Sequence, residues 1–243
     1  MLINCDIGER GETNPVDQEL LQYVDIVNIA CGGHAGDETS VSYFSHEARR
    51  RGLMVTAHLS YPDEANFGRK EMQISNQELA LSLDEQLTMF PFIRRVKFHG
   101  ALYHKVNTNL KLALFLARWL STKGIEQVLV PEGSLLASAC TRLDIKCLYE
   151  AFIERRYCMI DDQLALVPRD RPYACIDDPE EALAQYEDIL AGYVKTYDIN
   201  QTNKLVSERR LIRADTVCIH SDSPIALQLI YRIKALDSHA ENI

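Results

Sequence analysis

The chain has 243 residues, of which 47% are hydrophobic and 25% are charged, a composition typical of soluble globular proteins. Its net charge of −9 disfavours binding to nucleic acid or to an anionic membrane surface, because both need an excess of lysine and arginine. The seven cysteines lack zinc-finger or redox-pair spacing, and neither a signal peptide nor a transmembrane-length apolar run is recognisable, so we expect a reduced, cytoplasmic protein.

Short apolar runs rich in β-branched residues alternate along the chain with stretches of helical character. The predicted strands are 2–6, 25–30, 53–58, 96–99, 126–130, 145–149 and 215–220. The predicted helices are 38–51, 76–93, 109–122, 133–143, 178–194 and 224–237. This alternation indicates an α/β fold with a parallel sheet of seven strands, one fewer than a full eight-stranded barrel.

The segment 195–214 interrupts this pattern. Its apolar residues alternate with polar ones on both sides of 200–203, which predicts an inserted β-hairpin. The chain has no linker rich in proline, glycine and serine, no low-complexity tract and no short repeat. We therefore expect one domain across 1–243.

Polar residues and glycines cluster at the carboxyl ends of five predicted strands, where the active sites of parallel α/β folds form. A single histidine after a strand usually has a structural role, but five strands that end alike favour a functional role. The positions that stand out are Asp6, His34, Asp37, His58, Lys97, His99 and Asp222.

Charged residues near these strand ends have both functional and structural interpretations. Lys97 lies in a predicted strand, where an unpaired ammonium is costly, so it should pair with Asp6 or Glu9 or bind an anionic substrate. Asp37 is also placed to cap the following helix. Arg69 is either a bidentate carboxylate clamp or an ordinary surface arginine.

Other charged residues are less informative. Arg155 and Arg156 could reach the site or form a solvated face, and His46, His104 and His239 are predicted to be surface residues. The sequence contains no phosphate-binding loop, dinucleotide fingerprint, nucleophile elbow or H-E-x-x-H motif. Nucleotide binding and covalent serine catalysis therefore have no local support in this chain.

A series of motifs nevertheless runs through nearly the whole chain. In order, they are N-C-D-x-G-E at 4–9, N-I-A-C-G-x-H-A-G-D at 28–37, A-H-x-x-Y-P-D at 57–63, F-G-R at 67–69, K-x-H-G-A-L-Y at 97–103, L-V-P-R at 166–169 and C-x-H-x-D-x-P at 218–224. The series resembles the LamB/YcsF family. The resemblance implies a TIM-like, seven-stranded parallel β/α barrel of the glycoside hydrolase/deacetylase type. Gly33, Glu154 and Ser221 depart from the residues common in that family.

The resemblance also implies an activity, that of a subunit of an ATP-dependent cyclic amide hydrolase. Members of the family act with two further subunits to open the lactam of 5-oxo-L-proline to L-glutamate, with ATP as a co-substrate of the complex. Because this chain lacks a phosphate-binding loop, we expect nucleotide handling to belong largely to the partner subunits.

Within that reaction, the expected catalytic residues are Asp6, His34, His58, Lys97 and His99. Asp6 or His99 would act as the general base toward water, and His34 or His58 as the acid. Lys97 and Arg69 would hold the substrate carboxylate or a phosphorylated lactam. The residues expected to bind substrate are Asn4, Glu9, Asp37, Tyr61, Arg69, Tyr103, Arg156, His220 and Asp222.

Two alternatives remain open at this stage. Asp6, His34 and His58 could bind Zn²⁺ or Mn²⁺ in a stand-alone metal-dependent hydrolase or deacetylase, so the presence of a divalent metal is undecided. The chain could also be a non-catalytic subunit that binds a carboxylate ligand.

Overall fold

The computed structural model of the protein describes residues 1–160, 162–198 and 207–240. The barrel strands and the strands of a second sheet are β1 (Leu2–Ile7), β2 (Ile26–Ala30), β3 (Met54–Leu59), β4 (Arg95–Phe98), β5 (Gln127–Val130), β6 (Lys146–Phe152), β7 (Tyr157–Ile160), β8 (Gln163–Leu166), β9 (Tyr193–Tyr197), β10 (Ser207–Leu211) and β11 (Thr216–His220). Seven parallel strands close the barrel in the order β1-β11-β6-β5-β4-β3-β2. The predicted TIM-like barrel and its strand count are therefore confirmed.

The helices surround the barrel. They are α1 (Pro15–Leu20), α2 (Glu38–Arg51), α3 (Asn76–Thr88), α4 (Gly100–Thr108), α5 (Leu110–Thr122), α6 (Leu135–Thr141), α7 (Pro179–Leu190) and α8 (Ala226–Ala240). Two of them, α1 and α4, were not predicted. The helix predicted to run to residue 93 ends at Thr88, shortly before Pro91, which cannot continue a helix. In the part of the chain that the structure describes, no helix combines the length and the apolar content needed to cross a bilayer.

The second sheet has the strand order β10-β9-β7-β8. Its antiparallel pair β9 and β10 confirms the predicted hairpin, and Tyr197 lies opposite Ser207. The predicted turn at 200–203 lies outside the described residues. The pair β7 and β8 was missed because each strand has only four residues, and the pair joins the hairpin through the contact of Tyr157 with Thr196.

The barrel has an apolar outside and a polar inside, because successive side chains of a strand point to opposite faces. In β1, Ile3, Cys5 and Ile7 belong to the hydrophobic core. Asn4 and Asp6 alternate with them and contact side chains from other barrel strands. The runs that look continuously apolar in sequence therefore carry polar residues at alternate positions, and these residues build the floor of the site.

Candidate functional site

The floor of the site is a buried network of amides and hydroxyls inside the barrel. Asn28 donates from Nδ2 to Asn4 Oδ1 at 2.8 Å, and Thr56 donates from its hydroxyl to Asn28 Oδ1 at 2.6 Å. Asn4 in turn donates to Thr216 Oγ1 at 3.0 Å. Because each buried polar group has a partner, the network stabilises one arrangement of the strands.

Lys97 spans the barrel above this network. Its ammonium nitrogen lies 2.8 Å from Asp6 Oδ1 and 2.8 Å from Glu150 Oε1, and its side chain is 2% exposed. Burial disfavours the charged form of Lys97. Nearby negative groups, Asp6 foremost, nevertheless raise the pKa of Lys97 well above its usual value. Burial likewise opposes ionisation of Asp6, but His58 and Lys97 hold the pKa of Asp6 well below its usual range. The pair is therefore charged at neutral pH, as expected from the sequence.

Three histidines converge on Glu9 beside Asp6. The Oε1 atom of Glu9 lies 2.9 Å from His34 Nε2, 3.6 Å from His99 Nδ1 and 4.0 Å from His58 Nε2. His58 Nε2 is 3.0 Å from His99 Nδ1 and 3.3 Å from Asp6 Oδ2. The rings of His34 and His99 are stacked, with centroids 3.6 Å apart.

Burial disfavours the charged form of two of these imidazoles, those of His34 and His99. It lowers the pKa of His34, against the opposing effect of Glu9, and it lowers the pKa of His99 well below its usual value, with help from His34 and His58. His99 Nε2 lies 3.0 Å from the carbonyl oxygen of Phe67, which can only accept, so this nitrogen carries the proton. The Nδ1 lone pair of His99 therefore faces the cluster.

Two glycines let the loop after β3 close over the histidines. Gly100 adopts a φ of +56°, and a Cβ atom there would lie 2.5 Å from the carbonyl oxygen of Gly68. That same oxygen accepts a hydrogen bond from the backbone N–H of Ala101 at 2.9 Å. Only glycine permits this approach without strain, and the contact places the Phe67 carbonyl against His99.

A cavity of about 640 Å³ opens at the carboxyl ends of the barrel strands. Its wall includes Asp6, Glu9, His58, Lys97 and His99 from the buried cluster. Arginines and apolar residues complete the rim. This volume falls in the range of small-molecule sites in proteins.

Three arginines line the cavity near its rim, and two of them approach one carboxylate. Asp222 Oδ2 lies 2.5 Å from Arg69 Nη2 and 3.6 Å from Arg169 Nη1. Arg155 is buried, donates to the carbonyl oxygen of Val167 at 2.8 Å, and has its pKa lowered to about 10 by burial and by Arg169. Among the described residues Arg155 forms no ion pair, so its charge is available to an anionic ligand.

Comparison with known proteins identifies the family of the chain. The model of the LamB/YcsF family matches residues 1–242. The chain belongs to the LamB/YcsF family. The chain is 31% identical over 252 residues to the A subunit of 5-oxoprolinase from Clostridium beijerinckii, covering 99% of this chain and 94% of that protein. It is 34% identical over 242 residues to the A subunit of 5-oxoprolinase from Neisseria meningitidis, covering 96% and 93%.

A solved structure agrees with this assignment. The lactam utilization protein from Thermus thermophilus superposes with a TM-score of 0.80 at 27% identity. The match covers 98% of this LamB/YcsF chain and 97% of that structure. The two chains therefore share one fold.

Most of the residues singled out in the sequence meet at the cavity. Those that line it are Asp6, Glu9, His58, Arg69, Lys97, His99, Tyr103, His220 and Asp222. His34 lies behind this wall, stacked on His99. Of the two histidines expected to act as the acid, only His58 therefore reaches the cavity.

Four residues expected to bind substrate have structural roles away from the cavity lining. Asn4 belongs to the buried network, and Tyr61 packs in the hydrophobic core. Asp37 is the N-cap of α2 and accepts from the backbone N–H of Ser40 at 2.8 Å. Arg156 forms an ion pair with Glu181 and donates to two backbone carbonyl oxygens.

Sequence reasoning missed other parts of the site. Glu150, the second partner of Lys97, lies one residue beyond the predicted strand 145–149. Arg155 was undecided from the sequence, and Arg169 stood out only within the motif at 166–169. His104, predicted to be a surface residue, is exposed and lines the cavity on α4, whereas the side chain of His239 lies outside the described part of the chain.

The Glu154 and Ser221 departures are accommodated locally. Glu154 Oε2 accepts from the backbone N–H of His220 at 2.7 Å and lies 3.2 Å from His220 Nδ1, so the longer side chain orients this histidine. Ser221 contributes its carbonyl oxygen as the acceptor for Arg10 Nη2 at 2.6 Å.

Gly33 has no room for a side chain in this protein. A Cβ atom there would lie 2.3 Å from Ser60 Oγ and 2.5 Å from Gln86 Oε1. The Gln86 amide accepts from the backbone N–H of Ser60 and donates to the carbonyl oxygen of Ser60, so the Gln86 side chain fills that space.

Proposed function

We propose that this chain is a subunit of an ATP-dependent 5-oxoprolinase that opens the lactam of 5-oxo-L-proline to L-glutamate together with two partner subunits. The observation that carries the proposal is one cavity with a buried carboxylate and imidazoles on one wall and three arginines on its rim. The full-length similarity to proteins named as the A subunit of 5-oxoprolinase supports it.

The chemistry explains why such an enzyme needs ATP. In the product, L-glutamate, the amine and the side-chain carboxyl group belong to one molecule, so closure back to the lactam has a large effective molarity. Opening the ring must overcome that proximity, and ATP hydrolysis supplies the driving force. We assign the nucleotide chemistry largely to the partner subunits, because this chain carries no phosphate-binding loop.

We assign the substrate carboxylate to the arginine rim. Asp222 pairs with Arg69 and Arg169, whereas Arg155 forms no ion pair among the described residues, so a carboxylate or a phosphoryl group is attracted there. The role expected for Lys97 changes accordingly. Lys97 is buried and already paired with two carboxylates, so it is a positioning residue for Asp6 rather than a direct substrate ligand.

We assign the general base to Asp6. Its Oδ1 atom is held by Lys97 and Asn28, whereas its Oδ2 atom faces His58 at the cavity wall. The carboxylate is ionised at neutral pH and lines the cavity, so it can accept a proton from the attacking water. The cavity is larger than a five-membered lactam needs, which leaves room for that water and for a phosphoryl group.

The test is glutamate formation from 5-oxo-L-proline, measured with and without ATP and with and without the partner subunits. We expect glutamate only when the chain, both partners and ATP are present. Glutamate release by the chain alone without ATP would support a stand-alone hydrolase instead. No glutamate from the full complex would contradict the proposal. If the chain binds the lactam but the partner subunits release glutamate equally fast without it, the chain is a non-catalytic binding subunit.

A further inference from the structure

Glu9 has an unusual set of partners for a buried carboxylate. Its side chain is 5% exposed, and among the described residues its ion-pair contacts are imidazoles only, those of His34, His58 and His99. The buried ammonium of Lys97 is already shared by other carboxylates. A buried carboxylate without a permanently charged partner is costly, so the Glu9 carboxylate and its three imidazoles attract a cation.

The spacing of the four groups matches the shell of a metal ion. One atom from each of Glu9, His34, His58 and His99 lies within 4.8 Å of the others. The four separations recorded among these atoms are 2.9, 3.0, 3.6 and 4.0 Å. In a tetrahedral site with bonds of about 2.0–2.1 Å, neighbouring ligand atoms are about 3.3 Å apart. Small side-chain adjustments would therefore bring all four atoms to one ion.

The tautomer of His99 is the one that a ligand needs. Its Nε2–H donates to the carbonyl oxygen of Phe67 at 3.0 Å, which leaves the Nδ1 lone pair directed at Glu9 and His58. Histidines that bind metals commonly donate their other ring N–H to a backbone carbonyl in this way.

We propose that Glu9, His34, His58 and His99 form a binding site for one divalent transition-metal ion, with Zn²⁺ as the best fit. Three imidazole nitrogens and one carboxylate oxygen are ligands that suit Zn²⁺ and related first-row ions. The ligand set differs from the one expected from the sequence, because Glu9 and His99 take the place of Asp6.

The site extends beyond the proposed lactam reaction and does not depend on it. Three of the four ligands line the cavity, so a bound ion would lie at its wall and could polarise a carbonyl oxygen there. Asp6 would remain as the base, because it is not one of the four ligands. Its Oδ1 atom is held by Lys97, and its Oδ2 atom lies 3.3 Å from His58 Nε2.

The experiment uses the isolated full-length chain after removal of any affinity tag and dialysis against a chelator. Calorimetric titration with zinc sulfate should give one ion per chain. Co²⁺ should give the intense visible absorption of a four-coordinate site, and Zn²⁺ should displace it. Neither lactam, ATP nor partner subunits are needed, so the result is independent of the proposed function.

Variants assign the site to these residues. Glu9→Gln and His58→Gln should each weaken binding at least about tenfold, whereas His46→Gln, at an exposed histidine outside the cluster, should leave it unchanged. Saturation at one ion per chain that is equally strong in all three variants would overturn the proposal. The absence of a four-coordinate Co²⁺ spectrum in the wild-type chain would overturn it as well, whether or not the variants fold.

Discussion

The ammonium of Lys97 lies 2.8 Å from Asp6 Oδ1 although their strands, β4 and β1, are not neighbours in the barrel. The same ammonium reaches Glu150 on β6, which is not a neighbour of β4 either. One side chain therefore connects three walls of the barrel through its interior. This contact holds Asp6 at the base of the cavity and makes the site depend on barrel closure.

Replacing Lys97 should destabilise the protein strongly. In Lys97→Met, the carboxylates of Asp6 and Glu150 lose their shared cation while they remain buried. Removing one partner of a buried ion pair costs about 3–5 kcal/mol. Urea unfolding at pH 7 should show a loss of this size in the free energy of unfolding.

A second substitution tests the reason for that loss. Glu150→Gln in the Lys97→Met background removes one of the two unpaired charges, so part of the stability should return. If the double variant is no more stable than the single variant, uncompensated charge is not the cause of the destabilisation.

Gly100→Ala should move the loop that covers the histidines. The new Cβ atom would meet the carbonyl oxygen of Gly68 at 2.5 Å and would also occupy a positive φ. Gly52 is the matched control, because it also has a positive φ, +72°, but a Cβ atom there would have no other atom within 4 Å. Thermal unfolding should show a loss of about 1 kcal/mol for Gly52→Ala and a clearly larger loss for Gly100→Ala. Equal losses would mean that the close approach to Gly68 is unimportant.

Asp37→Ala should affect stability and spare the chemistry. Asp37 caps α2 through the backbone N–H of Ser40 and does not line the cavity. Loss of an N-cap costs about 1 kcal/mol. Urea unfolding should show this loss, while the KM for the lactam stays at the wild-type value. A large rise in KM would restore the substrate-binding role expected from the sequence.

The charge of Asp37 also predicts a pH dependence. Hydrogen bonds from the backbone N–H and the hydroxyl of Ser40 lower the pKa of Asp37 in the folded protein below its ordinary value of 3.8. Its contribution is therefore full above the pKa of the unfolded chain and is lost as the pH falls through the lower folded pKa. The stability difference between the wild-type protein and Asp37→Asn should be constant near neutral pH and shrink in acid. A difference that grows in acid would contradict this assignment.

The sequence predicted the location of the site because parallel strands bring their carboxyl ends to one edge of a barrel. Asp6, His58 and Lys97 could be placed there from strand positions alone. Their partners could not, because the contact of Lys97 with Glu150 depends on barrel closure and strand register. The approach of Arg169 to Asp222 likewise depends on the path of the chain after β8. Asp37 illustrates the converse, a residue at a strand end whose role is to cap a helix.

Arg169→Ala should weaken binding of the lactam carboxylate. Arg169 lines the cavity, whereas Arg156 is paired with Glu181 outside the cavity lining and serves as the matched control. Losing one charge-assisted contact of about 1.4 kcal/mol or more raises KM at least about tenfold. Steady-state kinetics of the reconstituted complex should show this increase for Arg169→Ala and little change for Arg156→Ala. The same KM for both variants would show that the arginine rim does not bind the substrate.

The rate of glutamate formation by a reconstituted complex that contains Asp6→Asn tests the active-site assignment most directly. The substitution keeps the size of the side chain and removes the proton acceptor, so we predict a fall of at least about 100-fold, with an unchanged circular dichroism spectrum. Asp37→Asn, the same change at the exposed cap of α2, should retain the wild-type rate. Wild-type glutamate release from the Asp6→Asn complex would contradict the account, because the lactam would then be opened without the carboxylate at the centre of this cavity.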